Sequence, residues 1–506
     1  MMTIKINLII IIKIKNMLIQ FKSFMFNKIM SNVSMITLKK ANMMACILLC
    51  AFTMQNFNAQ AQEEELTPVE ILGQTVEAQG NVLSKLSKLK VSGYIQAQYQ
   101  NAGIDADGTN FKLTNRSNAY DLLENQSYGR FGLRRGRIKF TYEDGLVQGV
   151  FQPDFTEKGI AAEGNRNVVV FKDAYLSVKD PWFGTMAVKA GIFDRPFGHE
   201  ISYSSSTRES PERSRIFQTL FPDERDVGAM VTLQAPKTSP YNFLKLEGGM
   251  FVGSGIKPQF DNHFDFIGHL SATKTFDNIS IGGGVSAYIG GQLMYDGWEA
   301  ATDSTPGRIK PVPLYEMKDN KWEVKEADNY GKLAQRQYIG IDFQCSMFNE
   351  GIGFTAIRGE FITGTNPGSS SSITLNPTAL LTGARYLRNI SGGYIIFTQD
   401  IPTLPFTLVA KYDWYNPNAD ISGNDIGASG SSTGTQDIAL NNIGVGLIWY
   451  INANLRLTAY YDIVGHETTT EIKSGDAINP ATGLIVHGWD KQRDMNVFTL
   501  RLQYKF

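Results

Sequence analysis

Phe498-Thr499-Leu500-Arg501-Leu502-Gln503-Tyr504-Lys505-Phe506 runs with a strict period of two. Phe498, Leu500, Leu502, Tyr504 and Phe506 fall on one face of a strand, and Thr499, Arg501, Gln503 and Lys505 on the other. In a lipid-embedded barrel the first face meets acyl chains and the second meets water in the lumen. A membrane-crossing strand needs ~9–11 such residues, and this stretch supplies them.

The pattern recurs upstream. Val91, Ile95, Ala97 and Tyr99 oppose Ser92, Tyr94, Gln96 and Gln98; Ile138, Phe140 and Tyr142 oppose Arg137, Lys139 and Thr141. Ile279, Ile281, Val285, Ala287 and Ile289 oppose Ser280, Ser286 and Tyr288, and Leu455, Leu457, Ala459 and Tyr461 oppose Arg456, Thr458, Tyr460 and Asp462. A soluble β-sandwich or β-helix also alternates. Against it stand the length of the alternating region, Lys90 to Phe506, and Arg and Lys placed in mid-strand. Aromatics near strand ends (Tyr94, Tyr142, Tyr241, Trp414, Tyr415, Trp449, Tyr450) suit interfacial girdles. The fold expected is all-β, a transmembrane antiparallel β-barrel. At roughly 26 residues per strand and connector, 90–506 gives about 16 strands. Stretches 102–128, 291–333, 364–390, 417–438 and 466–491 read as external loops. Glu143-Asp144-Gly145, Asp180-Pro181-Trp182 and Asn452-Ala453-Asn454 read as periplasmic turns.

The N-terminus reads differently. Residues 1–34 carry no acid and read as a misassigned start or a long n-region, with Met30 or Met35 as the alternative start. Residues 35–61 form a signal peptide: basic Lys39-Lys40, an apolar run Met43–Met54, and Ala59-Gln60-Ala61 as the cleavage site. Residues 62–89, with Leu83, Leu86 and Leu89 at helix-like spacing, read as a short periplasmic segment, too short for the plug of an energised uptake receptor. Cleavage changes the charge. Seven of the 48 Lys and Arg and none of the 49 Asp and Glu precede residue 62, so 41 bases face 49 acids, a net of −8. No nucleic-acid partner is indicated. Only Cys345 survives cleavage, which excludes an intramolecular disulfide and a thiolate metal site; its spacing from Ile341 and Phe343 puts it on the lipid face.

The segment 167–228 holds Asp173-Ala174-Tyr175, then Gly191-Ile192-Phe193-Asp194-Arg195-Pro196-Phe197-Gly198, then Glu212-Arg213-Ser214. It resembles the phosphate-selective porin O and P family, with its D-A-Y strand, G-x-F-x-x-P-F-G turn and E-R-S loop. Leu133-Arg134-Arg135-Gly136-Arg137 resembles the family's R-R-x-R strand, and Lys411-Tyr412-Asp413 its R-Y-D strand with Lys for Arg. Ile448-Trp449-Tyr450 and Leu500–Phe506 resemble the closing strands. The resemblance implies a 16-stranded outer-membrane porin, a homotrimer, an inward-folded constriction loop, and passive diffusion of small anions, phosphate above all. Phe506 would be read by the barrel-insertion machinery.

Anion selectivity needs several weak cationic sites along the path rather than one trap, and Arg suits phosphate because its fork is bidentate. Parity puts Arg135, Arg137, Lys139, Lys189, Lys411, Arg456 and Arg501 in the lumen, and Arg208, Arg213 and Arg215 lie in 199–224, the expected constriction loop. The competing reading pairs these bases with Asp173, Glu212, Glu224, Asp226, Asp342, Glu360, Asp413 and Asp462 to fix the barrel's shape. No catalytic group, cofactor or metal is expected. The five His (His199, His263, His269, His466, His487) sit in no nucleophile motif, which weighs against an outer-membrane enzyme. His263 and His269 read as sharing a strand face too far apart for one ion. A non-selective or sugar porin stays open.

Overall fold

The computed structural model describes residues 82–106, 109–110, 128–155, 169–257, 261–295, 298–299, 306–373, 382–473 and 488–506, and positions 77, 79, 80 and 259. The chain divides between Asn81 and Val82, and every strand belongs to the second unit, Val82–Phe506. The expected start region and signal peptide, most of 62–89, and parts of the long loops lie outside the described residues.

Sixteen strands form the wall: β1 (Leu89–Ala102), β2 (Tyr128–Asp144), β3 (Val147–Asp154), β4 (Val170–Lys179), β5 (Met186–Asp194), β6 (Arg225–Gln234), β7 (Leu244–Phe251), β8 (Asp265–Phe276), β9 (Ile279–Leu293), β10 (Leu333–Asn349), β11 (Gly353–Gly368), β12 (Arg385–Asp400), β13 (Phe406–Asn416), β14 (Leu440–Tyr450), β15 (Leu455–His466) and β16 (Val497–Lys505). Each pairs antiparallel with its sequence neighbours, and β1 pairs with β16, so the sheet closes with no free edge. At the seam Gly93 and Phe506 exchange two backbone hydrogen bonds of 2.9 Å. A Cβ on Gly93 would stand 2.4 Å from the Arg137 carbonyl oxygen and 2.6 Å from the Phe506 ring, so only glycine fits there.

Shorter turns follow even-numbered strands and longer loops follow odd-numbered ones, the asymmetry of an outer-membrane barrel. The three turns expected at 143–145, 180–182 and 452–454 fall on the short side. Of the stretch expected as loop at 364–390, residues 364–368 and 385–390 belong to β11 and β12 instead, and the connection is correspondingly shorter. An extra hairpin, Leu314–Lys318 with Lys321–Glu326, rides in the loop after β9 and adds to β12 in parallel. Residues 82–87 are helical, with Leu83 and Leu86 exposed.

Parity holds along the wall. Ile339, Ile341 and Phe343 of β10 are 63%, 55% and 45% exposed, while Arg336, Tyr338 and Asp342, of the opposite parity, are buried. A band of large exposed apolar residues on this scale is stable only against lipid. Cys345 shares that outward parity. Trp182, Tyr241, Trp449 and Tyr450 sit exposed at the short-turn rim as a girdle requires. Tyr94 and Tyr415 do not: both are buried in the lumen, Tyr94 with its hydroxyl 2.7 Å from Ser205 Oγ and Tyr415 within the lumen's main apolar cluster. His263 precedes β8 in a loop, so it shares no strand face with His269.

Candidate pore constriction

Between β5 and β6 the chain does not go outward. Residues 195–224 fold into the lumen, carrying a short helix α1 (Arg215–Leu220). Phe197, Ile201, Ile216, Phe217, Leu220 and Phe221 are buried in one cluster with wall residues Phe193, Phe251, Tyr288, Tyr338, Ile362 and Tyr394. Phe221 meets Tyr288 and Tyr338 edge-on, each at 6.0 Å, and Phe217 meets Tyr394 at 6.2 Å. Burying each such side chain contributes roughly 1.5–3 kcal/mol. These apolar anchors tie the loop to β9, β10, β11 and β12.

Polar anchors reinforce that side. The Gly198 N–H donates to Ser286 Oγ at 2.8 Å, and the Glu360 carboxylate accepts from His199 N at 3.0 Å, from Glu200 N, and from the Tyr394 hydroxyl at 2.8 Å. Asp413 accepts from the Arg215 N–H at 3.0 Å, and Lys411 reaches Glu200 at 3.2 Å. Glu200 in turn accepts from both the N–H and the hydroxyl of Ser214, at the start of α1. The loop then crosses to the opposite wall. There Gln96 and Gln503 donate to the carbonyls of Ser205 and Ser206 at 3.0 and 2.9 Å, and Arg501 donates to the Pro211 carbonyl at 2.7 Å.

The ten expected bases divide by their partners. All seven strand residues point inward, and Arg208, Arg213 and Arg215 lie in the crossing loop. Arg137 is bound one-to-one by Asp154 at 2.7 Å, with Tyr94 and Ser205 beside it. Arg213 pairs with Glu224 and donates to the carbonyls of Glu200, Ile201 and Tyr203, which makes it a brace within the loop. Arg215 reaches Thr109 at 3.1 Å. Lys411 has Glu200. Lys189 lies 4.8 Å above the Tyr175 ring and 5.3 Å above Phe193, with no carboxylate within 4.0 Å among the described residues. Lys139 is half-buried and likewise has no ion pair among them.

The remaining four gather around one acid. Arg135 and Arg501 contact Glu212 at 3.1 and 2.8 Å, Arg208 stands 4.0 Å away, and Arg456 lies next to them on the Arg208 carbonyl at 3.0 Å. A fifth, Arg134, grips Glu212 bidentately at 2.8 and 2.9 Å. Parity alone misses Arg134. The β1–β2 register slips between Gln96 and Ala97, so β2 carries an extra residue and both Arg134 and Arg135 turn inward. The adjacent Arg-Arg pair was the available signal. The sequence neighbours Glu212–Arg213 and Arg225–Asp226 are not partners: Arg225 goes to Asp173 and Glu224, and Asp226 to Arg195 at 3.0 Å. Arg336–Asp265 and Arg388–Asp437 complete the buried pairs. His269 pairs with Asp342 at 2.9 Å. Asp462 is held by Asn442 at 2.8 Å.

The model of the phosphate-selective porin O and P family matches residues 124–240, the span from β2 through the constriction loop to β6. No curated protein matches the sequence. Among solved structures, the chain is similar to the loop L8 deletion mutant of OmpT from Vibrio cholerae at 12% identity and TM-score 0.44, covering 83% of this chain and 99% of that one. It is also similar to the outer-membrane channel DcaP of Acinetobacter baumannii (10%, TM-score 0.44, 83% and 97% covered). A third likeness is an anion-selective porin from Comamonas acidovorans (10%, TM-score 0.44, 83% and 99%). The barrel itself stands on its closed hydrogen-bond ring, and the matched family is one of channels rather than enzymes. With an outer wall that only lipid can cover and a charged lumen crossed by a loop that this family model matches, the chain is an outer-membrane β-barrel porin.

Proposed function

We propose that the pore passes small anions, phosphate among them, by passive diffusion past the crossing loop. One observation carries the reading: where the loop meets β2, β15 and β16, four guanidinium groups (Arg134, Arg135, Arg208, Arg501) lie within 4.0 Å of a single carboxylate, Glu212, and a fifth, Arg456, sits beside them on the Arg208 carbonyl. A buried surplus of positive charge at the narrowing concentrates anions and repels cations. Lys139 and Lys189, neither paired with a carboxylate among the described residues, extend the positive path along the wall. Arg137, Arg213 and Lys411 serve the barrel's shape in this reading, since each has its own acid. The name of the matched family points the same way.

The chain is exported through cleavage of the signal peptide at 35–61 and assembles as a homotrimer in the outer membrane; an OmpT structure from Vibrio cholerae is described as a trimer form. Single-channel recording in a planar bilayer under a chloride gradient, followed by added phosphate, tests the selectivity. A reversal potential directed to the anion, with chloride current blocked by phosphate, is expected. Ohmic steps without ion preference and without block would leave the porin and reject the anion reading, in favour of a non-selective or organic-solute channel.

A further inference from the structure

We propose that Glu212 is the resident counter-ion of an oxyanion site: a tethered carboxylate that holds the arginine cluster in shape and, by its charge, keeps passing oxyanions weakly bound. This rests on the anion reading above and assigns the control of affinity to one loop residue.

The carboxylate is held as a bound oxyanion would be. Oε1 accepts from Arg134 Nε at 2.8 Å and Arg501 Nη2 at 2.8 Å; Oε2 accepts from Arg134 Nη2 at 2.9 Å and Arg135 Nη2 at 3.1 Å. The bidentate grip of Arg134 is the geometry with which arginine takes carboxylate or phosphate. Glu212 is saturated; the arginines are not. Arg208 is 3% exposed, and its Nη1 has no hydrogen-bond partner among the described residues, although its Nε and Nη2 are fixed by the carbonyls of Ser210 and Pro211 at 3.2 and 2.9 Å. Buried donors nearly always find an acceptor. An oxyanion oxygen beside Glu212 would supply it.

Neutral groups help place three of the arginines without cancelling their charge. Gln96 accepts from Arg135 at 2.8 Å, Gln98 from Arg501 at 2.8 Å, and Gln503 from Arg456 at 3.1 Å. Arg135, Arg456 and Arg501 therefore keep these contacts whether or not Glu212 is charged, while Arg134 is held by Glu212 itself. Without an internal anion, five clustered guanidiniums would hold a phosphate too long for conduction, which requires sites weak enough to leave. Glu212 occupies part of the cluster and lowers its field. It thereby trades binding strength for throughput.

The test compares full-length wild type, Glu212→Gln, Glu209→Gln and Arg208→Ala in planar bilayers, with inorganic phosphate added to chloride. Gln keeps the shape of Glu212 and can still accept from Arg134. Glu209 is a control of equal charge in the same loop, paired instead with Arg358 at 2.6 Å. The phosphate concentration for half-block should fall on the order of tenfold or more in Glu212→Gln, from loss of one negative charge in a site shielded from water. It should change little in Glu209→Gln and rise in Arg208→Ala, a variant that keeps Glu212 and serves if Glu212→Gln loosens the loop under protease. Unchanged block in Glu212→Gln with the loop protease-resistant, an equal fall in Glu209→Gln, or no rise in Arg208→Ala would each overturn the assignment. A wild-type pore with anion preference and an unshifted Glu212→Gln would sink this inference alone. A wild type without anion preference would sink the selectivity reading beneath it.

Discussion

Replacing Gly198 by Ala should loosen the crossing loop while leaving the barrel wall closed. Gly198 has a φ of +63°, where an L side chain costs about 1 kcal/mol or somewhat more. The larger cost is contact. A Cβ there would stand 2.0 Å from Glu360 Oε2, and ordinary contact requires about 3.4 Å, so the carboxylate must retreat by more than an ångström. It then loses part of its grip on His199 N at 3.0 Å, Glu200 N and the Tyr394 hydroxyl at 2.8 Å. Hydrogen bonds of this kind are worth roughly 0.5–1.5 kcal/mol each, so losing two costs roughly 1–3 kcal/mol before relaxation. The burial of Phe197, Phe217 and Phe221 opposes full release. The expected result is a larger, noisier single-channel conductance and faster tryptic cleavage at Arg208, Arg213 or Arg215, with the heat-modifiable mobility of a closed barrel retained. A variant with that mobility but wild-type conductance and wild-type cleavage would refute the anchoring argument.

Three further outcomes are expected from other parts of the molecule. Arg388→Ala strips Asp437 of a fully buried partner at 2.8 Å and also frees the Ser369 carbonyl, so it should cost about 3–5 kcal/mol locally and open the loop 417–439 to proteinase K on intact cells; equal resistance to the protease would count against it. In the turn after β4, Asp180 accepts from five backbone N–H groups, those of Trp182, Phe183, Gly184, Thr185 and Met186, at 2.6–3.1 Å. These bonds, led by the Met186 amide, hold its carboxyl down at about 2. The turn's added stability is thus present above the unfolded value of about 3.9 and lost as pH falls through about 2, which amide exchange at 182–186 would report and Asp180→Asn should reproduce at neutral pH; exchange rates flat down to pH 2 would contradict it. Ile341→Arg places a charge on the lipid face and should lower stability by about 2–4 kcal/mol in urea unfolding from vesicles, whereas no loss would mean the face is wet.

The wall was readable because its signal is local. Each strand states its two faces in its own residues, and β16 alone places Arg501 and Gln503 inside and Leu500 and Leu502 outside. Parity fails where the backbone breaks period. The bulge in β2 turns Arg134 inward, and nothing in the alternation of Leu133–Arg137 marks which residue is extra. Tyr94 and Tyr415 look like girdle aromatics by position along their strands, yet both stand on the lumen side and take loop or neighbouring side chains as partners. The loop's plug was less legible still. Phe197, Phe217 and Phe221 follow no strand or long-helix period, and their partners Tyr288, Tyr338 and Tyr394 lie far along the chain. The same distance separates Glu212 from Arg501, so the pairing that defines the cluster has no local trace.

This separation also bears on the tension between the net charge of −8 expected if residues 1–61 are removed and a pore proposed for anions. Net charge counts residues wherever they lie. Three acids of the crossing loop are each met by a base: Glu200 by Lys411, Glu209 by Arg358 and Glu224 by Arg213. Asp226 and Asp265 are met by Arg195 and Arg336, while Arg225 is shared by Asp173, Asp194 and Glu224. Such pairs are close to neutral for a passing ion, because an ion a few ångströms off feels a dipole rather than a charge. At Glu212 the balance is on the side of the bases, with four guanidiniums within 4.0 Å of one carboxylate and Arg456 beside them. Exposed acids in the outer loops are screened over about 8–10 Å at physiological salt, and so contribute less at the narrowing than one unbalanced arginine there. Selectivity of this kind is set by the local remainder after pairing, and the crossing loop decides that remainder by where it brings its own carboxylate to rest.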